Sequence, residues 1–493
     1  MRANMPKSLS RVVITFLIAL LAVSWSNPQS SARAEETPTA KRILRAGAAT
    51  ANITPPMGLN IVGGWKPYPA TSVHDELHVR CLVLDNQQTR LAIVICDSLG
   101  IPRGVLDEAK SRIQKELGLP PANVLTAATH THSSVSAYGP NRLKRIEEFN
   151  DYQKLLIERI VDAVGKAVDN LGPAQIGWGL AAEPTQVFNR RWFMKPGEHL
   201  RNPFDEFDRV RMNPPRQSPD LIEPAGPTDP QIPFVTVRSV DGKPIALLAN
   251  YSLHYVGGVE RGAISADYFA MFADRIAELL QADGEDASFV GILSNGTSGD
   301  INNIDFQGPS PKVARYEKMQ QVAYLVAEKV HKAHDDVQFH DWVPLGAVRR
   351  ELTLAVRKPT AEQMVWAKEL LGRTEEPKDF HESRQRIYAG RFQKLAEAPE
   401  EIDIVLQAMR IGEVGIAAIP FETFAEIGLQ LKAESPLPRT FVVSFGNGSY
   451  GYLPTARHFP LGGYETWLGT NSVEPQTAAK IVESLLEMFE ELH

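Results

Sequence analysis

Two histidines at one spacing carry the strongest chemical signal in this chain: Thr129-His130-Thr131-His132, directly after the apolar run 124–128. In an extended segment side chains i and i+2 share a face, so His130 and His132 address one point. A His-x-His pair is a metal-ligand pattern, and a pair of solvated histidines would read the same way. Residues leaving the carboxyl end of a buried strand point into the crevice where α/β proteins bind ligands. The placement recurs. His254 sits just past the apolar run 245–251, and the run 289–293 leads into Ser294-Asn295-Gly296-Thr297-Ser298-Gly299-Asp300. Three strand ends bearing imidazole, small and polar groups predict one common pocket. Further on, Glu422 follows the buried run 414–419, and a Gly- and Tyr-rich stretch covers 446–452. Glu422 could equally cap a following helix, and the tyrosines could be packing aromatics. The remaining histidines read as structural: His331, His334 and His340 gather at a helix end, and His199, His381, His458 and His493 lie in polar surroundings.

These residues need a scaffold of strands and helices, and the pattern supplies one. Short β-branched or aromatic runs at 124–128, 235–237, 245–251, 289–293, 414–419 and 441–445 read as buried strands. Helical periodicity covers 105–117, where Val105, Ala109, Ile113 and Leu117 recur and Gly118 supplies a left-handed stop, and also 152–167, 268–280, 313–333 and 478–489. The hairpin-like pair 78–84 and 91–96 argues for an α/β fold with a mixed β-sheet core and flanking helices, in a single large domain. No internal repeat is visible. The proline-rich stretch 194–233 lacks any sustained period and reads as a long surface loop, either a lid or a plain insertion. Residues 373–391 read as charged helix and connector. The two cysteines, Cys81 and Cys96, read as buried small residues on that hairpin, which could also bring them close.

Composition bounds the classes. With 493 residues, 43% apolar and 23% charged, the chain is neither disordered, collagen-like nor a disulfide scaffold. Lys plus Arg total 52 against 59 Asp plus Glu, a net charge of −7, so nothing marks it as a nucleic-acid binder. Arg2, Lys7 and Arg11 precede the apolar run 12–25, and Ala32-Arg33-Ala34 follows. Residues 1–34 therefore read as a signal peptide and 35–43 as a linker, which makes the protein exported, periplasmic or secreted. Cleavage would remove four positive and no negative charges and leave −11. A chain that acidic is repelled by anionic headgroups, so any transient contact with a membrane surface should be apolar.

In order and spacing, several motifs resemble the neutral or alkaline, non-lysosomal ceramidases. They are Ala46-Gly47-Ala48-Ala49, Asn52-Ile53-Thr54-Pro55-Pro56, Cys96-Asp97-Ser98-Leu99-Gly100, Thr129-His130-Thr131-His132-Ser133 and Phe188-Asn189-Arg190. His254, Ser265-Ala266-Asp267, Gly299-Asp300, Pro420-Phe421-Glu422 and Tyr452 with Tyr464 continue the series. The resemblance spans about Leu44 to Thr470 and implies a zinc amidohydrolase acting on a small, lipid-like substrate, ceramide or a related N-acyl lipid. It implies that Zn²⁺ is held by His130, His254, Glu422 and Tyr452, and that His132, Arg190 and Tyr464 surround the scissile amide. Bound zinc would bring the pKa of water down to about 7, giving the attacking hydroxide. Asp267 would orient a histidine or cap the next helix. Two departures follow. Asn302 stands where the family has a serine once proposed as nucleophile, which speaks against a covalent serine mechanism. The chain also ends at His493, leaving no room for the family's immunoglobulin-like C-terminal domain, so residues 44–493 would be the catalytic domain alone. The competing expectations are a metal hydrolase of the same fold acting on an acylated sugar or small amide, and a catalytically dead lipid- or sugar-binding protein.

Overall fold

Strands that are apolar on both faces must be covered on both sides, and that requirement sets the layers. In this computed structural model, which describes residues 42–139, 141–284 and 289–493, β1 (Arg45–Asn52), β2 (His78–Asp85), β3 (Arg90–Cys96) and β4 (Val124–Ala128) illustrate it. Leu82, Leu84, Leu91, Ile93 and Ile95 face one core, while Val79, Cys81, Val83, Val94 and Cys96 face another, beneath helices. The cysteines are both free and buried, as a packing role requires. The expected signal peptide, and all but Arg42 and Ile43 of the linker, lie outside the described residues.

The chain builds one motif three times. β1, β2 and β3 form an antiparallel meander, α1 (Arg103–Leu117) crosses to β4, parallel to β3, and α2 (Asp151–Asp169) returns over the sheet. The second module repeats this with β5 (Gly172–Ala182), β6 (Gln231–Ser239), β7 (Pro244–Tyr251), α3 (Tyr268–Leu279), β8 (Val290–Asn295) and α4 (Glu317–His334). The third uses β9 (Leu345–Ala355), β10 (Glu401–Ile411), β11 (Val414–Ile419), α7 (Ala425–Glu434), β12 (Arg439–Ser444) and α8 (Thr477–Leu492). Two extra helices, α5 (Ala361–Gly372) and α6 (Phe380–Ala396), are inserted between β9 and β10. Modules one and two join through β1 and β5 into an eight-stranded mixed sheet, β8-β7-β6-β5-β1-β2-β3-β4. Module three is a separate sheet, β9-β10-β11-β12, whose Met409, Ile416 and Phe441 share a core with Leu82, Ile93 and Leu248. Helices cover the outer faces, so the expected mixed sheet with flanking helices stands.

Local chemistry explains the boundaries. α2 starts at a capping box in which Asn150 and Gln153 exchange side-chain and backbone bonds, and Gly118 closes α1 at φ +68°. The segment 194–233 departs from the expected loop. Arg191–Met194 pairs with Val210–Met212 on one side and Leu221–Pro224 on the other. Strands of three or four residues with a register break between Phe193 and Met194 are too short to show a period of two.

At the junction of modules one and three, Lys110 of α1 is buried and donates to the Asn447 side-chain oxygen just after β12. Burial lowers its pKa from 10.5 to about 7. Between those values the unfolded chain binds the proton and the folded one does not, so this group makes stability rise with pH across that window. Wild-type protein should therefore gain more in Tm from pH 7 to pH 10 than Lys110→Met, as read by calorimetry.

Candidate active site

The functional side chains leave strand ends at matched positions. His254 lies three residues beyond β7 and Glu422 three beyond β11, while Leu99, three beyond β3, contributes only its carbonyl. His130 stands two residues past β4 at φ +70°, a backbone region that a residue with a Cβ enters only when its surroundings force it. Three imidazoles converge. Among the described residues His130, His132 and His254 place potential ligand nitrogens within 4.8 Å of one another. Each fixes its ring by donating from Nδ1 to a carbonyl that can only accept: His130 to Leu99 (2.6 Å), His132 to Gly63 (2.7 Å) and His254 to Ser298 (3.2 Å). Their Nε2 atoms are left for the centre, with those of His130 and His132 at 3.1 Å. Stacking locks two rings further, His130 on Phe445 and His132 on Tyr255.

Burial, reinforced by neighbouring positive charge, holds the His132 and His254 pKa values well below 6.5. Two bare lone pairs thus meet at the cluster. The Glu422 carboxylate joins them, with Oε2 at 3.5 Å from His130 Nε2, and that oxygen is buried with no hydrogen-bond partner. Burial alone would raise the Glu422 pKa, but His130, Tyr452 and Arg190 outweigh it and hold it at about 2. A buried carboxylate and imidazole nitrogens facing one another form a donor set that fits a metal ion.

Glu422 and Tyr452 are register partners in a short parallel pair, which sets carboxylate beside phenol. Arg190 donates from Nη2 to the Tyr452 oxygen (3.0 Å) and from Nε to Glu465 (3.0 Å). Glu465 spends its other oxygen on Arg191 at 2.6 Å. Both of its partners are buried with it. The loop after β8 supports the neighbouring strand. Gly299 donates to the Thr423 carbonyl, a Cβ there would come within 2.5 Å of the Glu422 carbonyl oxygen, and Asp300 accepts from the first amide of α7.

All seven residues implied by the resemblance gather here: His130, His132, Arg190, His254, Glu422, Tyr452 and Tyr464. Tyr464 packs edge-on against Tyr452 and Trp65. A cavity of about 340 Å³ opens over His130, His132, Glu422, Tyr452 and Tyr464. A second, of about 560 Å³, lies behind Tyr464 between Trp65, Val210, Met212, Phe380 and Trp467. Asp267 does the structural half of what was expected: its carboxylate accepts the amides of Val256, Gly257 and Tyr268, capping α3 and tying down the loop after His254. Asn302 is turned onto Asn213 and the Ile304 amide. His458 corrects the expectation of polar surroundings, since it is fully buried against Phe424. Sequence reading missed Glu465, Arg191, Phe445 and the carbonyls of Leu99 and Gly63. Only the adjacency of Arg190-Arg191 and of Tyr464-Glu465 hinted at the first two. Removing one partner of a buried ion pair costs about 3–5 kcal/mol, so Glu465→Gln should lower unfolding free energy by roughly that amount, as read by urea titration.

The family model for neutral/alkaline non-lysosomal ceramidase, N-terminal, matches residues 45–313. Among curated proteins no relative matches. Two solved structures share the fold over 92% of this chain. The neutral ceramidase from Pseudomonas aeruginosa is 18% identical, with a TM-score of 0.68 over 74% of its own chain. A ceramidase complexed with C2 is 17% identical, with a TM-score of 0.69 over 75% of its chain. With over half its length matched by that model, and with the histidine cluster at its strand ends, the chain belongs to the neutral/alkaline non-lysosomal ceramidase family, a family of amide-hydrolysing enzymes.

Proposed function

We propose that this protein is an exported, zinc-dependent amidohydrolase that cleaves the N-acyl amide of ceramide or a related N-acyl lipid. The observation that carries the reading is the convergence of imidazole nitrogens and the unpartnered Glu422 oxygen on one cavity. His130, His254 and Glu422 would hold the ion, with the Tyr452 phenol as fourth donor. Nitrogen and oxygen donors of this kind suit zinc over the hard, all-oxygen cations. Bound there, zinc supplies a Lewis acid that activates water and polarises the acyl carbonyl.

The chain's own residues supply the rest. His132 keeps its proton on Nδ1 by bonding to Gly63, which leaves Nε2 to take a proton and return it to the leaving amine nitrogen. Arg190, held by Glu465, and the Tyr464 hydroxyl donate to the oxygen on which negative charge develops. Asn302 offers no nucleophilic oxygen, in keeping with attack by water. Among the described residues no helix is long and apolar enough to cross a membrane, and exposed Trp65 and Phe380 beside the second cavity offer an apolar contact for a lipid surface.

Metal analysis by mass spectrometry, paired with hydrolysis of a fluorogenic N-acylsphingosine, tests the reading. About one zinc per chain is expected, lost together with hydrolysis in His130→Ala. Zinc without turnover would overturn the substrate, and a folded protein without metal would overturn the mechanism. Tyr464→Phe should keep its metal and lose about 10²-fold in kcat, the usual cost of an oxyanion donor.

A further inference from the structure

The cavity over the histidines is positively charged in a chain that is acidic overall. Its lining holds three cations, Arg142, Arg391 and Lys394, and one carboxylate, Glu422. Glu422 belongs to the proposed ion. Several arginines elsewhere in the protein find acids: Arg103 and Arg349 reach Asp107 and Glu351, and Arg350 reaches Glu487 and Glu491. Here they do not. Arg142 lies over the Tyr138 ring at 4.7 Å, and Arg391 lies over Tyr388 at 4.7 Å and donates to the Thr470 hydroxyl at 2.8 Å. Among the described residues neither has a carboxylate partner.

Both arginines line the same cavity and approach the same segment. A Cβ built on Gly451 would meet the Thr470 carbonyl at 2.9 Å and Arg142 Nη1 at 4.0 Å, so Arg142 and the Thr470 segment that Arg391 binds meet at Gly451. Gly451 is the neighbour of Tyr452, and Tyr464 lines the same cavity as Arg391. This charge without a carboxylate partner therefore lines the same cavity as His130, His132, Tyr452 and Tyr464. A neutral hydroxyl or carbonyl would accept single, weaker hydrogen bonds from these cations, whereas an oxyanion would form charge-assisted, bidentate bonds. A cleft of one sign also concentrates ligands of the other.

We propose that the substrate is an N-acyl amide whose amine part carries an oxyanion close to the nitrogen, an N-acyl amino acid foremost, bound by Arg142 and Arg391 with Lys394 at the rim. This rests on the amide-hydrolase reading above. The acyl tail then runs past Tyr464 into the second cavity, along Trp65, Met212 and Trp467. The bond chemistry is that of any amide hydrolysis: water's oxygen joins the acyl carbon, the C–N bond breaks, and the amine nitrogen takes the proton.

N-dodecanoylglycine and N-dodecanoylethanolamine, which differ in a carboxylate against a hydroxymethyl group, separate the charge from everything else. The zinc-loaded enzyme should favour the acid by about tenfold or more in kcat/KM, mainly through KM, as expected for one charge-assisted contact pair. High salt should shrink that preference. Arg142→Gln should bring the ratio near one, and Lys394→Gln, at an exposed position, should reduce it by less. Ceramide 1-phosphate as a third substrate distinguishes a phosphate carrier from a carboxylate one, and preference for either supports the proposal. Equal or better turnover of the ethanolamide, or a preference insensitive to both salt and Arg142→Gln, would overturn it. If neither amide is cleaved, the hydrolase reading falls, and calorimetric titration of the same pair still decides: tighter binding of the acid supports the anion site, equal binding removes it.

Discussion

Every part of this site depends on where three histidine rings spend one proton. Because Leu99, Gly63 and Ser298 offer carbonyls, Nδ1 must donate, and the three Nε2 atoms are turned inward. Each carbonyl lies in a loop next to the strand end that presents a histidine, so the rings cannot rotate without breaking the loops that close the sheet. Glycines make the approach possible. A Cβ on Gly63 would come within 2.3 Å of the His132 carbonyl oxygen, and one on Gly299 would collide with Glu422. The orientation that lets the cluster hold a cation is thus written into backbone, and the imidazoles follow it.

The buried ions obey the same economy of position. Glu465 is shared by Arg190 and Arg191, so one carboxylate neutralises part of a pair of adjacent guanidinium groups and leaves Arg190 a free edge for the Tyr452 oxygen. Were Glu465 absent, two like charges would stand side by side without water, and Arg190 would have no reason to point at the site. Glu422, at the same site, stays ionised because its hydrogen-bonding and positive neighbours outweigh its burial. Two buried carboxylates thus have separate tasks, one holding a cationic side chain and one facing the cluster with an oxygen unspent.

The strand ends were legible because apolar runs stop there, and 124–128 and 414–419 are strands to the residue. Single polar residues after such runs stand out, which is why His130, His254 and Glu422 were readable. The threefold recurrence was not. Equivalent positions after the third strand of each module hold Leu99, His254 and Glu422, and a topology that fixes only burial leaves residue type free, so no repeat survives in sequence. Glu465 was invisible for another reason: its partners lie 275 and 274 residues away, and only folding makes them neighbours. The short strands around Arg191 escaped because three residues cannot display an alternation.

Recurrence of topology with divergence of residues also explains why the site has a front and a back. The lining of the histidine cavity comes from modules one and three, Val62 to Leu143 and Arg391 to Ser472, with nothing from module two among the described residues. His254 of module two closes the cluster from behind. Module two instead contributes residues between Glu198 and Asn213 to the second cavity, together with Phe380 and Trp467 of module three. Tyr464 borders both spaces. The modules carry different side chains and insertions, and the second space is walled by Trp65, Phe380 and Trp467. If the proposed function holds, a substrate with a polar head and an acyl tail would have its amide where those spaces meet, at the one phenol that lines both.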